Sequence, residues 1–138
     1  MSRFTHPRSD NAGHSREAGQ TLVLFVVMLM GLLGVAGLAI DYGFWALNKN
    51  QVQSAADASA LAGASQIPAG LGSAGTTAQS QYLKNGVASD SVTVTSTTNL
   101  TANDSVTVNA SRDVSTWFTS VFGIHSVTVK GAARATLE

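Results

Sequence analysis

Between Thr21 and Ile40 the chain runs for twenty residues without a charge, reading TLVLFVVMLMGLLGVAGLAI. As a helix rising about 1.5 Å per residue this run spans roughly 30 Å, the thickness of a bilayer's hydrocarbon core. Twelve of its residues are Leu, Ile, Val or Phe. Each favours insertion by about 0.3 to 0.6 kcal/mol near a helix centre, enough to outweigh the Gly residues in the run. A buried core helix is the other reading, and it requires a domain able to surround the run on every side. With 138 residues in all, the rest of the chain is too short and too polar to do so. The run is therefore read as a membrane-spanning helix over 21–40.

The flanks orient it. Arg3, Arg8 and Arg16 precede the run, whereas Lys49 is the lone basic residue in the twenty that follow. This asymmetry places the N-terminus in the cytoplasm and the C-terminal part outside, as in a single-pass protein of the inner membrane. Residues 1–20 make the cytoplasmic tail, of which 1–19 are polar, contain Gly and Pro, and read as disordered, with His6 and His14 solvated. Two cleavages would remove the anchor. Gly37-Leu38-Ala39 is a small-x-small triplet, but the apolar run exceeds the 7 to 15 residues of a signal core, so retention is expected. Cleavage after Gly19, as in prepilins, is disfavoured because Leu24 stands where prepilins carry Glu.

Helical composition continues past the membrane edge. Residues 41–66 are rich in Ala, Leu and Gln, with no strong breaker before Gly63 and Pro68. A single helix to about Ala64 is expected, its second half projecting beyond the bilayer. Tyr42, Phe44 and Trp45 fall where amphipathic rings anchor a helix among headgroups, or else serve as core residues of the outer domain. Gly31, Gly34 and Gly37 recur at three-residue spacing and admit a second helix at close range, or simply make this one flexible.

Three sets of residues carry a specific resemblance. Gly19-Gln20 precedes the apolar run, Gly37-Leu38-Ala39-Ile40-Asp41-Tyr42-Gly43 ends it, and Ala55-Ala56-Asp57-Ala58-Ser59-Ala60-Leu61-Ala62-Gly63-Ala64 follows on the same helix. Over about residues 17–64 the chain resembles the N-terminal region of TadG-like and TadE-like proteins of Flp pilus assembly. The resemblance implies a structural or accessory role, with pilus-assembly or pilin-like membrane proteins as partners. Asp41, Asp57, Ala60 and Ala64, with Gly31, Gly34 and Gly37, are the expected helix-packing or partner contacts. Asp57 finds no cation three or four residues away, so its partner is distant, with Lys130 and Arg134 the nearest candidates by type, or it is solvated.

Beyond Pro68 the period changes. Residues 68–75 form a Gly-rich hinge, and Thr76–Lys84 makes a short helix presenting Ala78, Tyr82 and Leu83. Ser-Val-Thr-Val then occurs three times, from Ser91, Ser105 and Ser126. Each copy alternates as a half-buried antiparallel strand does, with Val92, Val94, Val106, Val108, Val127 and Val129 facing inward. Gly131, Ala133, Ala135 and Leu137 continue the last inward row, while Lys130 and Arg134 face solvent. Val114, Trp117, Phe118, Val121 and Phe122 have the spacing of an amphipathic helix, capped by Asp113 or Ser115, closed by Gly123 and covering one face of the sheet. An aromatic pair, a Gly and a final Val-Thr-Val strand also resemble the end of short TadG-like proteins.

Catalytic signals do not assemble. The chain has no Cys, its formal net charge is zero, and its acidic and basic residues are equal in number. These facts argue against a thiol nucleophile, a disulfide framework and a phosphate-binding surface, so no nucleic acid partner is expected. His125 stands without a second His or a carboxylate at ligand spacing, and Asp90, Asp104 and Asp113 read as turn or cap residues. No catalytic, cofactor or metal site is expected. The reading is an α+β, pilin-like chain whose long membrane helix continues into a small antiparallel sheet domain over 67–138. It associates with the bilayer and with other subunits through the helix, as a homo- or hetero-oligomer. The alternative is a membrane-tethered adhesive or ligand-binding domain unrelated to pili.

Overall fold

The computed structural model describes residues 14–86, 90–97 and 104–137. The chain divides into two units, the first ending at Ala36 and the second beginning at Gly37. Helix α1 (His14–Ala64) supplies the described structure of the first unit and the opening element of the second. From residue 19 to Ala36 its side chains are exposed, and this is the one helix among the described residues long and apolar enough to cross a membrane. Helix begins at His14, which corrects the expectation of disorder through Gly19. A helix already nucleated by an apolar run extends into Ser15-Arg16-Glu17-Ala18 at little further entropic cost. The tail before it, with Arg3, His6 and Arg8, lies outside the described residues.

In the second unit α1 is followed by a 3-10 turn (Ile67–Ala69), α2 (Leu71–Asn85), β1 (Ser91–Thr97), β2 (Ser105–Ser115), a second 3-10 turn (Thr119–Phe122) and β3 (Ser126–Thr136). Each Ser-Val-Thr-Val copy opens one strand. The strands form an antiparallel sheet in the order β1-β2-β3, with Val94 opposite Val108 and Val108 opposite Ala133. The architecture is the α+β arrangement expected.

One face of this sheet is buried. Val106, Val108, Ala110 and Val114 of β2 and Val129 and Ala135 of β3 join Val52, Ala55, Ala56, Ala60 and Ala64 of α1 and Ala74, Ala78 and Tyr82 of α2 in one core. Most of these side chains are small, so the backbones must approach closely for the core to exclude water. Two glycines show how closely. A Cβ on Gly131 would lie 3.0 Å from the backbone nitrogen of Gln53, and one on Gly63 would lie 2.9 Å from Ala78 Cβ. Leu137, expected on the inward row, falls just past the end of β3 and is exposed.

Two expectations are corrected. Helix α2 begins at Leu71, within the supposed hinge, because burial of Ala74 beside Gly63 outweighs the low helix propensity of Gly72 and Gly75. The turn there is reduced to the 3-10 turn ending at Ala69 and to Gly70, whose φ of 113° suits glycine. Nor does an amphipathic helix run from Val114 to Phe122. Val114 belongs to β2, opposite Val127, and only Thr119–Phe122 forms a short turn of 3-10 helix. Continued pairing with β3 satisfies the backbone through Ser115, which leaves too few residues for the helix. Trp117, Phe118, Val121 and Phe122 consequently do not cover the sheet, and all four are exposed.

Candidate functional site

The buried residues of α1 from Gly37 onward lie at helical spacing: Gly37, Asp41, Asn48, Val52, Ala55, Ala56, Ser59, Ala60, Gly63 and Ala64. Polar members of this stripe do specific work. Asp41, only 2% exposed, accepts hydrogen bonds from three successive backbone N–H groups of the β2–β3 loop. Trp117 donates at 3.1 Å, Phe118 at 3.0 Å and Thr119 at 2.6 Å, and the Thr119 hydroxyl also donates to the carboxylate. Together they seat the start of the 3-10 turn on α1 as an N-cap carboxylate would, although Asp41 is remote in sequence. The Thr119 hydroxyl, then the three N–H groups, hold the Asp41 carboxyl below the usual carboxylate range, against the opposing effect of burial.

One turn earlier, Gly37 makes room for this loop. A Cβ there would stand 2.5 Å from Phe118 Cδ1, so the Phe118 ring rests on the glycine's bare backbone. The loop also closes on itself. Thr116 N–H donates to the His125 carbonyl at 3.0 Å, the Thr116 hydroxyl donates to the Ile124 carbonyl, and Gly123 turns the chain at φ 85°.

A second polar cluster ties α1, α2 and β2 together. Arg112 of β2 makes a two-pronged ion pair with Asp90, Nε to Oδ1 at 2.6 Å and Nη2 to Oδ2 at 2.8 Å. Its Nη1 donates to Asn48 Oδ1 at 2.9 Å and to Gln51 Oε1 at 3.0 Å, and Tyr82 donates its hydroxyl to Asp90 Oδ2 at 2.8 Å. Burial and the Asp90 carboxylate raise the Tyr82 pKa, while the hydrogen bonds to Asp90 raise that of Arg112 against burial. Asp90, read from sequence as a turn residue, is thus a buried counter-charge. At the β3 edge the Gln53 side-chain amide exchanges two hydrogen bonds with the Ala132 backbone, 2.8 Å and 3.2 Å, in the manner of a pairing strand residue.

The sequence-derived contact residues fall in different places. Gly31 and Gly34 are exposed, with nothing within 4 Å of an added Cβ. Gly37 and Asp41 hold the loop, while Ala60 and Ala64 lie in the chain's own core. Asp57 is exposed and accepts from Gln53 Nε2 at 2.9 Å on its own helix, which corresponds to the solvated alternative and not to a distant partner in Lys130 or Arg134. Asp113 caps no helix; it sits in β2 and accepts from Thr128 directly across the β2–β3 ladder. Tyr42 and Phe44 are exposed, whereas Trp45 is half-buried against the core with its Nε1 unpaired. Nothing in the structure explains that unpaired nitrogen. His125 is exposed, and among the described residues no three His, Asp or Glu side chains gather as a metal site would require.

Asn48, Gln53, Arg112 and Thr119 were not singled out by sequence reasoning. Asn48 was accessible to it, because a polar residue on the same helical stripe as Asp41 and the Ala block needs an internal partner. Arg112 gave a comparable signal as a cation at an inward position of the β2 alternation.

No curated protein and no solved structure matches this chain. Residues 19–66, which hold the apolar run, the Gly37–Gly43 exit and the Ala-rich block, match the Tad family model, Flp pilus-assembly TadE/G-like, so this segment of the chain is similar to the TadE/G-like proteins.

Proposed function

We propose that this protein is a single-pass accessory component of Flp pilus assembly, minor pilin-like, anchored in the inner membrane with residues 1–20 cytoplasmic and the second unit outside. Its role is structural and not catalytic. The observation that carries this reading is how the TadE/G-like exit motif is used: Gly37 and Asp41 seat a loop of the sheet domain. The carboxylate of that motif is engaged by four donors of its own chain, which supports a structural role for it. Gly31 and Gly34, bare and exposed on the apolar run, offer a second membrane helix close backbone approach. That helix would come from a pilus-assembly protein or from another copy of this chain.

The test is affinity purification of the full chain from cells assembling Flp pili, in parallel with Gly31→Leu and Gly34→Leu variants. Pilus-assembly proteins should co-purify with the parent and be depleted with the variants. Equal recovery from all three would remove the glycine face from the proposal, and no pilus component in any would remove the role. A reporter active only outside the cytoplasm, fused after Glu138, should be active; an inactive fusion refutes the orientation. Intact mass should retain residues 1–19, since Leu24 disfavours processing after Gly19, and a product starting at Gln20 would place the protein among processed pilins.

A further inference from the structure

The loop between β2 and β3 presents its largest apolar side chains outward. Trp117 is 74% exposed, Val121 82% and Phe122 75%, and Phe118 and Ile124 are about half exposed. Soluble surfaces scatter such residues singly; five within eight positions form a patch that calls for an apolar environment. From Val114 to Val129 there is no Asp, Glu, Lys or Arg.

Three further observations say what that environment is. The loop is placed by Gly37 and Asp41, and Gly37 lies one turn inside the end of the uncharged run at Ile40. If the run crosses a bilayer, Phe118 on Gly37 is held at the depth where hydrocarbon meets headgroups. Second, the loop is prepared for low-dielectric surroundings. Seven backbone N–H groups between Thr116 and Ile124 have acceptors within the chain, three of them on Asp41. An unpaired backbone polar group is costly at membrane depth, and these internal acceptors remove that cost for the N–H groups they engage. Third, the one carboxylate at this level is enclosed and saturated, so the patch shows lipid no charge. Exposed Tyr42 and Phe44 lie on the adjoining turn of α1 and continue the aromatic character expected at an interface.

We infer that residues 116–125 form a second membrane contact, in which Trp117, Val121 and Phe122 insert into the outer interface of the bilayer that α1 spans. The inference rests on the membrane reading proposed above. The loop would thus add a second attachment of the second unit to the bilayer, beside the helix.

The experiment uses the full chain in phosphatidylethanolamine–phosphatidylglycerol vesicles, with Trp45→Phe so that Trp117 is the sole tryptophan. Replacing the lipids with chains brominated near the headgroup should reduce Trp117 emission by about twofold or more, while aqueous iodide quenches weakly. A control chain carries Leu33→Trp with Trp45→Phe and Trp117→Phe. Quenching of the control by brominated lipid together with iodide quenching of Trp117 overturns the loop contact alone. A control unquenched by brominated lipid overturns the membrane reading on which the inference rests. Trp117 shielded from both quenchers also overturns the inference, and would make the patch an interface with a second copy. In Val121→Ser/Phe122→Ser, which leaves the core untouched, iodide quenching of Trp117 should rise; no change counts against insertion.

Discussion

Replacing Arg112 by Met tests whether the second unit depends on its buried polar cluster. The Asp90 side chain is fully enclosed and Arg112 is 7% exposed, with two charge-assisted bonds joining them. Met occupies similar space without charge, so Arg112→Met strips the guanidinium from a buried carboxylate and leaves Asn48 and Gln51 without that donor. Breaking a buried pair by removing one partner costs about 3 to 5 kcal/mol. Against a net stability of about 5 to 15 kcal/mol for a domain, that is a large share. For a unit of roughly 100 residues each kcal/mol moves Tm by about 4 to 8 °C, so a fall of at least ~12 °C is expected. Near-UV circular dichroism of the full chain in detergent follows this loss, because it reports side-chain packing in the domain. Arg112→Met combined with Asp90→Asn should recover part of the fall, since neutralising the carboxylate removes most of its desolvation penalty. A fall under ~4 °C for Arg112→Met, or strict additivity in the double variant, refutes the reasoning.

Tyr82→Phe removes one hydrogen bond to a carboxylate that keeps its guanidinium, and should cost about 1 to 2 kcal/mol in the same thermal assay; an unchanged Tm would mean the hydroxyl adds nothing. Gly63→Val places methyl groups where Ala78 and Val106 already stand within about 3.1 Å of a Cβ, and should destabilise by about 1 to 3 kcal/mol. Gly43→Ala, with open space around its Cβ, should instead be neutral or stabilising by up to about 1 kcal/mol, and equal losses from both would discredit the close-approach argument. Asp41 has a depressed pKa in the folded chain, so its contribution is complete above the unfolded carboxyl value of about 3.9 and is lost as pH falls through the folded one. Tm should therefore hold steady from about pH 7 to 5 and drop below about pH 4, and Asp41→Asn should lower the neutral plateau and make the acid limb shallower. An acid limb identical in Asp41→Asn would assign it to other carboxylates.

What could be read from the chain alone was what repeats along it. The apolar run of α1, the Ala-rich block and the three Ser-Val-Thr-Val strands all announce themselves by local period, because neighbouring residues on one element share a face. The inward rows of β2 and β3 followed from alternation, and the TadE/G-like resemblance from motifs confined to α1. Position 114 failed for the same reason: its helical spacing was genuine, but β3 could pair with that stretch, and a ladder bond satisfied its backbone first. Only the tertiary structure paired Arg112 with Asn48 across 64 residues of sequence and brought Thr119 to Asp41 across 78. Such partners leave no periodic trace, since each is a single polar group whose burial is tolerable only when a complementary group arrives from another element. The same dependence decided the aromatics of the β2–β3 loop, whose hydrophobicity was plain in the sequence. Asp41 fixes the backbone of Trp117, Phe118 and Thr119, and with that backbone fixed the Phe118 ring lies on Gly37 and the Thr119 hydroxyl on the carboxylate, while Trp117, Val121 and Phe122 are left outward.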